Sequence, residues 1–192
     1  MLVVELGLYL DKPYSYYEEL LKNNGLRCVF ECITHDIYYT DDDFSNIDNM
    51  SENQIKDVCI RVRSVNNGDY EIQHNLIKDY KRKYIKVNNI DELDKELSEY
   101  GYRRVFDTIK HDYQWFKDGM SSKIQLQEIK DIGLLLYYDN KEYYEYDLDT
   151  QRRKLIDELN SYGFNFDYDV LGIDKLRTLY YKKKMYSKNQ NG

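Results

Sequence analysis

The stretch Asp57-Val-Cys-Ile-Arg61-Val-Arg63-Ser-Val65 constrains the fold more than any other part of the chain. It is rich in β-branched residues, which marks a strand. Arg61 and Arg63 are two residues apart and share one face, while Val58, Ile60 and Val62 take the other. Two adjacent guanidiniums repel each other and need an anion between them. Each fork matches a carboxylate or a phosphate, and two forks suit a polyphosphate. A pair of solvent-facing arginines on a half-exposed sheet gives the same pattern, so the rest of the chain has to decide.

The strand pattern recurs. In 2–10, Leu2, Val4, Leu6, Leu8 and Leu10 form one face, and Val3, Glu5, Gly7 and Tyr9 the other. Pro13 opens a helix that Asn23-Asn24-Gly25 ends. A strand follows over 27–40, then a polar loop over 41–56. Beyond the arginine strand, Asn66-Asn67-Gly68-Asp69 marks a hairpin turn. The pattern then predicts strands over 70–78 and 82–87, a helix over 91–100, and a long strand over 102–117. Two short strands over 123–128 and 134–139 precede helices over 149–162 and 173–184. Runs of neighbouring strands with few crossovers predict a mostly antiparallel α+β fold. The length fits a single domain over 1–186, followed by a polar tail at 187–192 that is expected to be disordered. The two halves resemble each other loosely, each offering strands and a helix.

Charge and composition narrow the function. A formal charge of -7 argues against a general nucleic-acid binder, although a local basic pocket fits inside an acidic shell. The 22 tyrosines suit pleated, half-buried surfaces. Cys28, Cys32 and Cys59 have no zinc-like spacing and read as buried thiols in a reducing cytoplasm. Cys28 and Cys32 share a strand face with Phe30, which reads as core. His35, His74 and His111 read as structural. No leader and no bilayer-spanning run is evident, so no membrane partner is expected.

Most strands carry one polar face. A flat sheet would hang that face in water, whereas a closed barrel would turn it into a charged lumen. On it fall Glu5, Arg61, Arg63, Glu71, Gln73, Arg82, Tyr84, Lys86, Lys110, Asp112, Gln125, Gln127, Tyr137 and Asp139. This set is rich in basic residues against the acidic balance of the whole chain, as an anion site requires.

At this point the layout resembles the CYTH superfamily, the triphosphate tunnel metalloenzymes. That family includes class IV adenylate cyclases, thiamine triphosphatases and inorganic triphosphatases. Asp36-Ile-Tyr-Tyr-Thr40 lies where the family has Asp-x-Tyr-aromatic, and Ile60-Arg-Val-Arg63 where it has Leu-Arg-x-Arg. Tyr70-Glu-Ile-Gln73 matches its Leu-Thr-x-Lys strand. Ile124-Gln-Leu-Gln127 and Gly133-Leu-Leu-Leu136 match its Asp-bearing and Gly-x-aromatic strands. The departures are specific. The family's Glu-x-Glu-x-Lys is Glu5-Leu-Gly7-Leu-Tyr9 here, and its Arg-x-Glu-x-Glu is Arg82-Lys-Tyr84-Ile-Lys86. Its Lys-x-Arg is Lys110-His-Asp112, its Asp is Gln127, and its late Glu-x-Glu is Tyr137-Tyr-Asp139.

The resemblance implies an antiparallel, closed or nearly closed β-barrel of about eight strands, with helices packed outside. It implies phosphate binding by Arg61, Arg63, Arg82, Lys86 and Lys110. It also implies Mg or Mn held by Glu5 and Asp139, with Glu5 and Lys110 in the catalytic role. The expected partner is a small anionic ligand, namely a triphosphate, polyphosphate or nucleotide, with a second copy of the chain admissible as well. The corresponding activity is that of a metal-dependent phosphohydrolase or an adenylate-cyclase-like enzyme with a degraded metal site. The alternative is a non-catalytic polyphosphate-binding or protein-interaction module on the same fold.

Overall fold

The computed structural model describes every residue except 1, 2, 42, 43, 45, 52, 53, 56, 57, 75–85, 88, 191 and 192. Among the described residues there are eight strands: β1 (Leu6–Leu10), β2 (Arg27–Thr40), β3 (Ile60–Val65), β4 (Tyr70–His74), β5 (Lys86–Val87), β6 (Arg103–Phe116), β7 (Ile124–Ile129) and β8 (Gly133–Tyr138). The helices are α1 (Tyr14–Asn23), α2 (Ile90–Glu99), α3 (Leu148–Ser161) and α4 (Lys175–Gln190). Among the described residues no helix is long and apolar enough to cross a membrane. The polar segment after β2 holds a 3-10 turn at Ile47–Asn49.

The strands hydrogen-bond in the order β1-β8-β7-β6-β2-β3-β4-β5. The fold is therefore α+β, with antiparallel pairing at β1–β8, β7–β8, β2–β3, β3–β4 and β4–β5. Hydrogen bonds do not close the sheet among the described residues, and β5 contributes only Lys86–Val87.

The two halves of the chain correspond more closely than their composition announces. Helices α1 and α2 are both ten residues long, and β2 and β6 are both fourteen. Their bounds are displaced by the same 76 positions, 14 to 90 and 27 to 103. Arg27-Cys-Val-Phe-Glu31-Cys-Ile-Thr-His35-Asp36 recurs as Arg103-Arg-Val-Phe-Asp107-Thr-Ile-Lys-His111-Asp112. Both helices end before a left-handed glycine, Gly25 or Gly101, where a side chain would be strained.

The chain divides into two compact units. Unit one is Met1–Cys32 with His111–Ile173, and unit two is Ile33–Lys110 with Asp174–Gly192. The long strands β2 and β6 each contribute to both. In unit one, Leu6, Leu8 and Leu10 of β1 pack with Tyr113, Trp115, Leu126 and Leu136, covered by Leu21 of α1 and Leu155 and Leu159 of α3. In unit two, Ile37, Tyr39, Ile60 and Val62 pack under Leu93 and Leu97 of α2. Each such leucine or isoleucine contributes about 1.5–3 kcal/mol by leaving water. The helix caps follow from sequence: Asn89 accepts from the Asp91 amide at α2, and Asp147 from Thr150 at α3.

Burial of the sheet departs from the expected core at one strand end. Cys28 and Phe30 are exposed, Phe30 by 47%, and only Cys32 is buried. Alternation shows which residues share a face. It does not show whether anything packs on that face.

Candidate functional site

The side of the sheet away from the apolar cores carries the polar residues. In unit two, β2 pairs with β3 in a register that sets Asp36 against Arg63 and Tyr38 against Arg61. Directly paired residues share a face, so these four side chains stand together. Arg63 donates from Nε to Asp36 Oδ1 at 2.6 Å and from a terminal nitrogen to Oδ2 at 2.8 Å. Lys110 of β6 places its Nζ 2.7 Å from Asp36 Oδ2. The Asp36 and Lys110 side chains are 0% and 2% exposed.

Burial alone would raise the Asp36 carboxyl. The hydrogen bonds and charges of Arg63 and Lys110 reverse that and hold it well below the usual carboxylate range. Burial keeps the neighbouring Tyr38 phenol protonated, with its pKa raised. Three cations, Arg61, Arg63 and Lys110, thus gather on one face around a single buried carboxylate. Glu71 of β4 lies across from Arg63. The anion that the arginine pair requires is in part internal, and that carboxylate is Asp36. Its alternation with Tyr38, on the face opposite His35, was the available signal. The backbone of Lys86 pairs with Glu71 in β5, and Arg82 lies outside the described residues.

Unit one carries the equivalent position, with other partners. Asp112 Oδ1 accepts from Gln125 Nε2 at 3.0 Å and from Gln127 Nε2 at 2.5 Å. At the other end of this face, Leu6 pairs with Tyr138. One step beyond that pair on each strand lie Glu5 and Asp139, so the two acids are cross-strand neighbours. Tyr144 donates its hydroxyl to Asp139. That bond first, then burial and the charges of Asp139 and Glu5, push the Tyr144 phenol up to about 12. A side chain at Gly7 would press on the Tyr137 ring, which lies 3.0 Å from where its Cβ would stand.

For a hard divalent cation, Glu5 and Asp139 provide two of six oxygens, and water or phosphate would supply the rest. Among the described residues no group of three or more His, Cys, Asp or Glu side chains is placed to hold a metal. The structure brings together Arg61, Arg63 and Lys110 in unit two, and Glu5 and Asp139 in unit one.

Two histidines that read as structural have matching environments. His35 bonds Tyr70 and Asp107 at 2.9 and 3.1 Å. His111 bonds Tyr113 and Glu31, both at 2.7 Å. Each ring is held between a phenol and a carboxylate.

No protein-family profile matches the chain, and no curated protein matches its sequence. Solved structures do match its fold. The PH1012 protein from Pyrococcus horikoshii OT3 has a TM-score of 0.54 at 11% identity, over 89% of this chain and 100% of that one. A "putative adenylate cyclase" from Vibrio parahaemolyticus has a TM-score of 0.53 at 15% identity, over 83% and 87%. A conserved hypothetical protein from Pyrococcus furiosus has a TM-score of 0.52 at 10% identity, over 88% and 100%. At these identities the likeness shows a shared fold, and it spans nearly the whole of each neighbour, including the one described as a cyclase.

Proposed function

We propose that the protein is a CYTH-like protein that binds a triphosphate- or polyphosphate-bearing ligand through the basic face of unit two. One observation carries this reading: Arg63 and Lys110 both bond the buried Asp36, and Arg61 stands beside Arg63 on the same strand face, a basic cluster within an acidic protein. Charge-assisted contacts to phosphate contribute about 1.5–3 kcal/mol each. Arg82 and Lys86 extend the cradle in this reading, and the sheet curls into a closed or nearly closed tunnel around the ligand. The fold shared with the Vibrio protein supports it.

In the enzymatic form, Glu5 and Asp139 of unit one would hold Mg or Mn, which would supply charge stabilisation. Lys110 neutralises charge that develops on the transferred group. The products would be those of a triphosphatase or of an adenylate-cyclase-like reaction.

A second reading is binding without turnover. It is favoured at Gly7, where the family pattern has a second acid and the Tyr137 ring stands close against the backbone. One experiment separates the two. Thermal shift and calorimetry with tripolyphosphate, ATP and thiamine triphosphate, with and without Mg2+ or Mn2+, are run beside a hydrolysis and cyclisation assay. Metal-dependent product that Glu5→Gln and Asp139→Asn abolish supports the enzyme. Binding without product supports the module. Absence of any binding defeats both.

A further inference from the structure

The turn from β1 into α1 and the loop that follows α3 form a cleft of about 360 Å3 within unit one. That volume suits a small molecule. Tyr9, Tyr16, Tyr17, Phe164 and Phe166 supply its walls. Tyr17 and Phe164 stack at 5.6 Å and 10°, and Phe164 and Phe166 at 5.7 Å and 9°, so three rings run parallel. Tyr16 meets Tyr17 edge-on at 5.0 Å. Tyr17 and Phe164 are buried, whereas Tyr9 and Tyr16 are each 47% exposed, which leaves aromatic surface open to a guest. The loop is fixed from behind. Asn160 donates its carboxamide to the Phe166 carbonyl at 2.8 Å and accepts from the Phe166 amide at 2.6 Å. A guest that enters a cleft with fixed walls has little to order.

Two lining residues carry charge. Asp11 and Lys12 are paired at 3.0 Å, and Asp11 also accepts from the Tyr17 hydroxyl at 2.8 Å. The Tyr17 hydrogen bond first, then Lys12, hold the Asp11 carboxyl below its ordinary range, so it is ionised at neutral pH. Both charged side chains are largely exposed, so the pair opens to a guest at little cost. A carboxylate accepts several hydrogen bonds and an ammonium donates several, so one ion pair exhausts neither group. A guest with a single charge would meet a like charge beside its partner, whereas a guest with both charges matches the pair. We infer that this cleft binds a small zwitterion with an aromatic body, namely a free aromatic α-amino acid. Its ammonium lies against Asp11, its carboxylate against Lys12, and its ring among Tyr16, Phe164 and Phe166. The two charges of an α-amino acid flank one carbon, as a pair on adjacent residues requires. None of these residues belongs to the proposed phosphate or metal sets, so the inference stands apart from that reading.

The test titrates phenylalanine, phenethylamine and hydrocinnamate into the full chain by calorimetry. Phenethylamine lacks the carboxylate and hydrocinnamate lacks the ammonium. Phenylalanine is expected to bind about fivefold more tightly than either. Asp11→Asn is expected to remove its advantage over hydrocinnamate, and Lys12→Gln its advantage over phenethylamine. Tyr16→Ala, at a half-exposed ring, is expected to weaken all three compounds by about tenfold. The ligand series on the unaltered protein decides the matter if a variant does not fold. Equal affinity for the three compounds, tighter binding of phenethylamine, or no binding of phenylalanine overturns the inference. Failure to bind tripolyphosphate overturns only the phosphate reading.

Discussion

Asp36 in unit two and Asp112 in unit one occupy corresponding positions on β2 and β6, and their neighbours differ in charge. Asp36 takes a bidentate guanidinium and a buried ammonium. Asp112 takes two neutral carboxamides. The same backbone plan thus sets a carboxylate among cations in one unit and among carboxamides in the other. The lesson concerns where specificity resides: the strands fix which positions meet, and the residue types two apart on the adjoining strand fix what they attract.

The largest effect expected from this contrast is on stability. Asp36→Asn removes a charge that compensates a buried lysine and a largely buried arginine, and should cost about 3–5 kcal/mol in denaturant unfolding. Asp112→Asn loses two amide donations to a charged oxygen and should cost about half as much or less. Equal costs would break the comparison. Next in size is ligand affinity. Arg61→Ala with Arg63→Ala should weaken tripolyphosphate binding by about a hundredfold or more, while Gln125→Ala should leave it within about threefold, as measured by calorimetry.

Acid unfolding sharpens the contrast further. The unfolded Asp36 carboxyl titrates near its ordinary value of 3.8, and the folded one well below it. Between those values the unfolded chain binds more protons, so the stabilisation by Asp36 is present above the unfolded value. It is lost as pH falls toward the folded one. Below about pH 5 the stability of the native protein should therefore fall more steeply than that of Asp36→Asn. A parallel pH profile for the variant would contradict the ion cluster.

The smallest effect is at Tyr144. Its folded pKa lies above the free value of 10, so the contribution of the phenol is complete below that value and lost as pH rises through about 12. Tyr144→Phe should cost under about 1 kcal/mol at neutral pH after solvent screening. Spectrophotometric titration should show the loss of one late-ionising phenol.

The sequence made the long strands legible to within a residue. The segments 27–40 and 103–116 are rich in β-branched and aromatic residues, and glycines or polar turns stop each strand. The partners of the arginines were legible only in part. Arg61 and Arg63 announce a need for an anion, yet the carboxylate that Arg63 grips lies 27 residues away, and the β2–β3 register brings Asp36 to it. The neighbourhood of Glu5 and Asp139 depends likewise on the pairing of the first strand with the eighth. Phe30 illustrates a different gap. Its alternation suits a core, but the strand outruns what covers it, and periodicity carries no record of a covering layer. The correspondence of α1 with α2 and β2 with β6 was visible only loosely, because Thr34 and Lys110, or Tyr38 and Gln114, match in place and not in chemistry.

Because β2 and β6 each divide their length between the two units, neither unit is a contiguous piece of polypeptide. A cut between residues 40 and 100 leaves each fragment with part of both units and the whole of neither. Excision of one half as an independent module is thereby ruled out, and separate loss of either unit would break strands the other needs. The molecule should melt in one transition, with substitutions in one unit lowering the midpoint reported by probes in the other.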